Sequence, residues 1–247
     1  MSVNVTYSTE RKISSAYLDS SVRLGISHAA KMIQDNVTEC FGSFSCDGVT
    51  YKQKYNAFWV FTKAKFSFAD FPAWKETVTT TSFPVDNGGP RTHINTVIKD
   101  KEGRAVITAN QEACVLSFET HRPVKLDQVG FPSENFPEAV FTAPFERFAI
   151  DAAEYEFAYE QKVRYSLIDM SHHVNNTEYI NLALDVFTEE YLLTNPIKEL
   201  EVHYTGETKE GETLKVYKCT KDSRTYVQIK AEDRLVFECY FFVLENQ

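Results

Sequence analysis

Two stretches of the chain carry apolar residues at three- and four-residue steps, which places them on one face of an α-helix. In the first half, the spacing predicts a helix with an apolar face formed by Val22, Ile26, Ala29, Ala30, Ile33 and Val37. In the second half, it predicts one long helix with a face formed by Tyr179, Ile180, Ala183, Leu184, Phe187 and Tyr191. Asn175 is the predicted N-cap of this second helix, Glu178 completes a capping box, and Asn195-Pro196 ends the helix.

The segments that follow each helix alternate between apolar and polar residues, which is typical of β-strands. Lys65–Phe68 alternates in this way, and so does Glu201–Tyr204. Both halves are therefore predicted to contain one strand, one long helix and then about four antiparallel strands. Because the apolar face of a helix must be buried, we expect each sheet to wrap its helix in an α+β fold.

Short matches in the same order indicate that the chain repeats itself. Glu10–Ile13 resembles Glu160–Val163, and at the same spacing Leu18-Asp19 falls on Ile168-Asp169. Two later matches join Glu76–Val78 with Glu212–Leu214 and Glu102–Val106 with Glu232–Val236.

The repeat predicts two domains, over residues 1–125 and 154–247. The intervening segment, 126–153, contains several prolines and is predicted to be an extended linker. A longer loop in the first half is expected around Asp86–Pro90.

Composition and charge narrow the class of protein. With a net charge of −9, the chain lacks the excess of cations that binding to nucleic acid requires. We expect no membrane insertion, because no apolar run reaches the roughly 18 residues of a membrane span. The five cysteines lack paired metal-binding spacing, so we expect reduced thiols, a cytoplasmic location and no metal site. Cys219 and Cys239 lie on strand patterns and are expected in the core.

Candidate chemistry is concentrated just before the second helix. Asp169, Ser171, His172 and His173 bring a carboxylate, a hydroxyl and two imidazoles into one short segment. The start of a helix offers free N–H groups and the positive end of its dipole. An acid–base group beside such a site is suited to acyl transfer.

The repeat serves as an internal comparison for this segment. Asp19 matches Asp169, but Val22 and Arg23 stand in the positions of His172 and His173. We therefore expect a catalytic second half and a first half that shapes a substrate pocket.

The motif His173-Val174-Asn175-Asn176-x-x-Tyr179, preceded by Asp169, resembles the signature of acyl-acyl carrier protein (acyl-ACP) thioesterases. Four further segments resemble those of the family. Trp59–Lys63 resembles its tryptophan-bearing strand, and Asp100–Gly103 resembles its Asp-x-x-Gly turn. His121–Val124 resembles the start of its linker, and Tyr204–Glu207 resembles its Tyr-x-x-Glu segment. The resemblance implies a tandem hotdog fold, in which each half is an antiparallel sheet wrapped around one long helix. It also implies hydrolysis of fatty acyl-ACP in fatty acid biosynthesis, without a cofactor.

Carried onto this sequence, the resemblance implies four catalytic residues. His173 and Glu207 would manage the proton of an attacking water, with either of them as the base. Asp169 and Ser171 would hold the geometry. His172 is expected to be exposed.

Two positions depart from the family pattern. Ser171 stands where the family has an asparagine. The hydroxyl of serine is shorter than the side-chain amide of asparagine and reaches a different point. Thr208 stands where some plant members have a cysteine, which favours attack by water over attack by a thiol.

The expected substrate contacts involve both halves. Asn175 and Asn176 would orient backbone N–H groups toward the thioester oxygen, and Trp59 and Phe71 would line the acyl slot. The acidic carrier protein needs cations, for which the candidates are Arg122 with Lys125, Lys162 with Arg164, and Lys215 with Lys218.

Other functions remain open from the sequence. An acyl-CoA thioesterase is the main alternative among enzymes, whereas a dehydratase fits the motif poorly. A non-catalytic acyl-thioester-binding module is a further alternative, suggested by Ser171 in place of asparagine. Because sheet edges often pair, a homodimer is also expected.

Overall fold

The computed structural model describes residues 4–244. The chain divides into two compact units, one extending to Ala143 and the other beginning at Pro144. Among the described residues, no helix is long and apolar enough to cross a membrane.

The described part of the first unit contains five strands and two α-helices. In chain order these are β1 (Tyr7–Lys12), α1 (Ile26–Ser43), α2 (Gly48–Tyr55), β2 (Ala57–Phe68), β3 (Thr77–Pro84), β4 (Arg91–Lys99) and β5 (Ala105–Ser117). Its strands pair antiparallel in the order β1-β3-β4-β5-β2.

Helix α1 packs one face against the sheet, with Ala29, Ile33 and Val37 buried as their spacing predicts. The buried Asn36 is hydrogen-bonded on both sides, because its Oδ1 accepts from Thr9 at 2.7 Å and its Nδ2 donates to Ser82 at 2.8 Å. The prediction that Val22 belongs to this helix is wrong. Val22 precedes α1 in a tight turn with φ of 61° and is 54% exposed.

The second unit repeats this order of elements. It consists of β6 (Glu156–Lys162), α3 (Asn176–Leu184), α4 (Glu189–Thr194), β7 (Ile197–Tyr204), β8 (Thr213–Lys221), β9 (Arg224–Ala231) and β10 (Arg234–Val243). Its strands pair antiparallel in the order β7-β10-β9-β8-β6. The predicted succession of one strand, a helical segment and four strands is therefore confirmed in both halves.

The prediction of a single long helix in the second half is wrong, because the helix is interrupted between α3 and α4. Phe187 N–H donates to Leu184 O at 3.0 Å, which forms a tight turn. Thr188 then caps the new helix by accepting from Tyr191 N–H. The apolar spacing continues through the break because Phe187 packs on Phe241 with ring centroids 5.4 Å apart.

The segment after β5 contributes to the core of the first unit. Leu126, Val129 and Phe131 are buried in a cluster that includes Val37 and Tyr51. Packing of the first unit thus extends past residue 125, and the predicted linker of 126–153 contains the division between Ala143 and Pro144.

The predicted loop at Asp86–Pro90 joins β3 to β4 and is held by an ion pair. Asp86 accepts from His93 N–H at 2.8 Å, and its other oxygen lies 2.6 Å from His93 Nδ1. The hydrogen bond to Asp86 raises the pKa of His93, with burial acting in the opposite direction. Burial acts to raise the pKa of Asp86, but its hydrogen bonds with His93 outweigh burial and lower it.

This pair predicts a pH-dependent difference in stability between the wild type and His93→Gln. Because the pKa of His93 is raised in the folded state, the ion pair contributes fully to the free energy of unfolding below the unfolded-state pKa of about 6.5. This contribution is lost as pH rises through the folded-state pKa of His93. Because the pKa of Asp86 is lowered, the pair also loses stabilising free energy when acid pH protonates this carboxylate. Because both side chains are partly exposed, we expect a difference of about 0.2–1 kcal/mol near pH 5.5. Urea unfolding at pH 5.5 and pH 9 measures it, and an equal difference at both pH values would contradict the assignment.

Candidate active site

A short turn before α3 carries the motif identified in the sequence. Asp169 Oδ1 accepts from Ser171 N–H at 2.8 Å, and the Asp169 carbonyl accepts from His172 N–H at 3.0 Å. Asp169 N–H donates to His173 O at 3.0 Å and closes the turn. His172 adopts a left-handed φ of 64° and is exposed, as predicted.

Asn175 caps α3 as predicted. Its Oδ1 accepts from Thr177 N–H at 2.9 Å and from Thr177 Oγ1 at 2.7 Å. Its Nδ2 donates to Asp169 Oδ2 at 3.3 Å, which joins the cap to the turn. The predicted capping box is wrong, because Asn175 N–H donates to Leu167 O, and the Glu178 carboxylate accepts from Asn181 at 2.7 Å.

His173 and Glu207, which lie far apart in the sequence, meet in the second unit. His173 Nε2 lies 3.1 Å from Glu207 Oε2, and the two side chains are 25% and 53% exposed. Val174 N–H donates to Thr208 O at 2.9 Å, so the backbone segments that carry the two side chains are also bonded to each other. An imidazole in contact with a carboxylate, both partly exposed to solvent, is an arrangement suited to general acid–base chemistry.

The other two predicted catalytic residues support the turn. The Asp169 carboxylate accepts from Ser171 N–H and Asn175 Nδ2, and its bond with His173 is through the backbone. Ser171 is exposed, and its N–H takes part in the turn. Asn176 is the first residue of α3 and is half-buried.

The two aromatic residues predicted to bind substrate lie among other rings of the first unit. Trp59 stacks on Tyr51 with centroids 5.4 Å apart and donates from Nε1 to Cys46 O at 2.7 Å. Phe71 stacks on Phe68 at 5.0 Å. Both side chains are half-buried. Their role in substrate binding stays a prediction.

The first unit repeats this turn without its chemistry. Asp19 Oδ1 accepts from Ser21 N–H at 2.9 Å, and Asp19 N–H donates to Arg23 O at 3.0 Å. Leu24 N–H donates to Pro72 O at 2.8 Å, as Val174 does to Thr208. Arg23 occupies the position of His173 and pairs with Asp70 at 2.6 Å. Because a guanidinium stays protonated, this half presents an ion pair in place of an acid–base group.

Three residues near Glu207 are not among the predicted catalytic or substrate-binding residues. Thr208 is fully buried and its Oγ1 lies 2.7 Å from Tyr179 OH, while Arg234 Nη1 donates to the Glu207 carbonyl at 2.8 Å. Tyr179 belongs to the recognised motif, and Arg234 belongs to the repeat. The motif and the repeat are therefore the features of the sequence that could have identified these two residues.

The cysteines of the chain are buried and form no disulfide. Cys219 and Cys239 are buried, as expected for core residues, and all five cysteines are free thiols. Within residues 4–244, no three or more His, Cys, Asp or Glu side chains are grouped so that they could hold a metal ion.

Comparison with solved structures defines the class of fold. An acyl-ACP thioesterase from Bacteroides thetaiotaomicron VPI-5482 matches with a TM-score of 0.87 and 18% identity, over 97% of this chain and 98% of that one. The 12:0-ACP thioesterase from Umbellularia californica matches with a TM-score of 0.81 and 12% identity, over 100% of both chains. At these identities the likeness establishes the fold alone. The chain has the tandem hotdog fold that the resemblance implied, apart from the single helix predicted for each half, because each unit contains a second, shorter helix.

The second half of the chain matches a family model. Residues 150–238 match the family model of the acyl-ACP thioesterase C-terminal domain, and this segment contains both His173 and Glu207. Oleoyl-acyl carrier protein thioesterase 1, chloroplastic, of Arabidopsis thaliana is 23% identical over 190 residues, which cover 69% of this chain and 51% of that protein. The second chloroplastic oleoyl-ACP thioesterase of that plant is 24% identical over 190 residues. The chain therefore spans about half the length of these curated relatives, and the resemblance noted from its sequence is confirmed.

Proposed function

We propose that this protein hydrolyses the thioester of fatty acyl-ACP and releases a free fatty acid. The observation that carries this proposal is the contact of 3.1 Å between His173 Nε2 and Glu207 Oε2. This contact lies within the segment that matches the acyl-ACP thioesterase C-terminal domain.

The pair is suited to direct attack by water. His173 and Glu207 together take a proton as the water oxygen bonds to the thioester carbon. When the tetrahedral intermediate collapses, the carbon–sulfur bond breaks, and the pair returns a proton to the departing sulfur. The products are the fatty acid and the carrier thiol.

The start of α3 is suited to stabilise the negative charge that develops on the thioester oxygen. The Asn175 side chain accepts the Thr177 N–H, and the Asn175 carbonyl accepts the Glu178 N–H at 2.9 Å. The Asn176 N–H, at the first helical position, is our proposed donor to the oxyanion. The positive end of the helix dipole adds to this stabilisation.

The proposed docking cations for the acidic carrier are Lys162 and Arg164, which are both exposed. The other candidates on this unit are less favourable, because Lys215 and Lys218 pair in register with Glu160 and Glu156 across β8 and β6. Neighbouring carboxylates weaken the attraction of a lysine for an acidic surface.

The remaining expectations are retained as proposals. We propose that the protein acts in the cytoplasm as a homodimer, without binding nucleic acid or inserting into a membrane. The matched plant proteins are named as chloroplastic, so localisation of a tagged chain in its own cells is the appropriate measurement.

The proposal is tested by measuring thiol release from acyl-ACP and acyl-CoA that carry the same acyl chain. We expect a higher kcat/KM for acyl-ACP. A higher value for acyl-CoA would favour the acyl-CoA thioesterase, and tight binding without thiol release would favour the non-catalytic module. Graded acyl chain lengths in the same assay measure chain-length preference.

The division of labour between the halves predicts different outcomes for Asp169→Ala and Asp19→Ala. Each substitution removes the acceptor of an equivalent N–H bond, so we expect a similar loss of stability, of about 1 kcal/mol, in each. Only Asp169→Ala displaces the turn that carries His173, and we expect about a tenfold or greater loss of kcat. Urea unfolding and thiol release on the same samples separate the two effects. Equal losses of kcat would contradict the assignment of catalysis to the second half.

A further inference from the structure

We propose that Arg234 is a positioning residue that fixes the Glu207 carboxylate opposite His173. This inference rests on the proposed function of the same site. It concerns a residue that lies outside the motif and acts through the backbone of Glu207.

Arg234 begins β10 and extends to the loop that follows β7. Its Nη1 donates to the Glu207 carbonyl at 2.8 Å, and its Nη2 donates to Glu212 Oε1 at 3.1 Å. Glu212 Oε2 in turn accepts from Lys209 N–H at 2.5 Å. The guanidinium therefore links the peptide of Glu207 to the far end of its own loop.

Gly206 provides the space for this guanidinium. A Cβ at residue 206 would lie 2.8 Å from Arg234 Nη1, closer than a real Cβ contact. The N–H groups of Thr205 and Gly206 both donate to Val236 O, at 3.0 and 3.2 Å. The chain just before Glu207 is thus fixed to β10, close to Arg234.

The residue after Glu207 is anchored in the interior. Thr208 is fully buried, with its Oγ1 bonded to Tyr179 OH and its carbonyl bonded to Val174 N–H. These bonds hold the backbone on either side of Glu207, and Arg234 holds the peptide of Glu207 itself. Because the Glu207 side chain is 53% exposed, its direction depends mainly on this backbone.

The first unit contains a natural comparison for Arg234. Arg104 occupies the equivalent position in the repeat, but its Nε donates to Asp100 Oδ2 at 2.7 Å. The backbone there is otherwise the same, because Ala69 and Asp70 N–H both donate to Val106 O. The hydrogen bond from Arg234 to the Glu207 carbonyl therefore occurs in the half that contains His173 and Glu207.

The experiment compares Arg234→Gln with Arg104→Gln in the full chain. Misplacement of a reacting group by about 1 Å can cost roughly 100-fold in rate, so we expect Arg234→Gln to lower kcat about 10- to 100-fold with KM little changed. Arg234→Lys, which keeps one donor, should recover part of the loss. Arg104→Gln should retain the wild-type kcat.

A second variant displaces the guanidinium without removing its charge. Gly206→Ala places a methyl group against Arg234 Nη1 and should reproduce the loss of kcat. In the Arg234→Gln background, Glu207→Gln should cause a smaller further loss than in the Arg104→Gln background, where it should have its full effect. Circular dichroism spectra establish that each variant is folded.

A readout independent of turnover separates this proposal from the proposed function. The imidazole NMR signals of His173 should shift in the same direction in Arg234→Gln and Glu207→Gln and stay unchanged in Arg104→Gln. If the wild type hydrolyses no acyl thioester, the proposed function fails and these signals alone decide the role of Arg234. A kcat of Arg234→Gln within about twofold of the wild type, or equal losses in the two arginine variants, would overturn the proposal.

Discussion

Replacing His173 with alanine is expected to lower kcat for thioester hydrolysis by about 10²- to 10⁴-fold, the range contributed by a positioned general acid or base. The imidazole lies 3.1 Å from Glu207, and alanine removes the group that we propose to move the proton together with that carboxylate. Because the side chain is 25% exposed and its ring makes no bond that closes the turn, we expect little change in the free energy of unfolding. Thiol release under substrate saturation measures the effect.

His172→Gln is the matched control for this prediction. His172 is the adjacent imidazole, but it is exposed and directed by a different backbone conformation, with φ of 64°. We expect its kcat to stay close to that of the wild type, because this side chain lies outside the contact between His173 and Glu207. Near-normal hydrolysis by His173→Ala, or an equal loss in His172→Gln, would refute the role of His173.

Replacing Glu207 with glutamine is expected to lower kcat by about 10²- to 10³-fold. Glutamine keeps the shape of the side chain and one oxygen that accepts a hydrogen bond, but it carries no negative charge and takes up no proton. The bond from Arg234 to the Glu207 carbonyl is unaffected, so the loop stays in place. We expect KM to be nearly unchanged, because the loss falls on the chemical step.

Glu210→Gln controls for the removal of a negative charge near this loop. Glu210 is exposed and follows the same β7 strand. We expect it to keep the wild-type kcat. If Glu207→Gln raises KM without lowering kcat, Glu207 contacts the substrate but does not take part in proton transfer.

Turns and helix caps that depend on residues close together in the sequence could be predicted from the sequence. The turn at Asp169 and the cap at Asn175 depend on side chains that bond to backbone groups two residues away, so residue type and spacing determine them. The same logic holds for Asp19 and Ser21 in the first unit. The meeting of His173 with Glu207 was inferred through a resemblance to a family, since no local pattern joins them.

Other features depend on contacts that leave no periodic pattern. The break before α4 was missed because Phe187 and Tyr191 continue the apolar spacing although the helix ends at Leu184. Val22 fits the face of α1 by its spacing, but the turn closed by Asp19 keeps it outside the helix. The bond from Arg234 to a backbone carbonyl gives no signal in residue spacing.

The two turns also show that the same backbone arrangement presents different side chains in the two halves. Asp19 and Asp169 make the same backbone bonds, and the residue four positions later is an arginine in one half and a histidine in the other. The turn therefore forms independently of the side chain that it presents. In the first half this side chain forms an ion pair with Asp70, and in the second half it contacts Glu207, its proposed partner in proton transfer.

A double-mutant cycle on thiol release from acyl-ACP tests most directly whether this pair performs the hydrolysis. The wild type, His173→Ala, Glu207→Gln and the double variant are compared at saturating substrate. Residues that act as one unit give non-additive losses, so we predict that the double variant is about as slow as the slower single variant. Losses that multiply in the double variant, or a wild type that releases no thiol above the uncatalysed rate, would contradict the account.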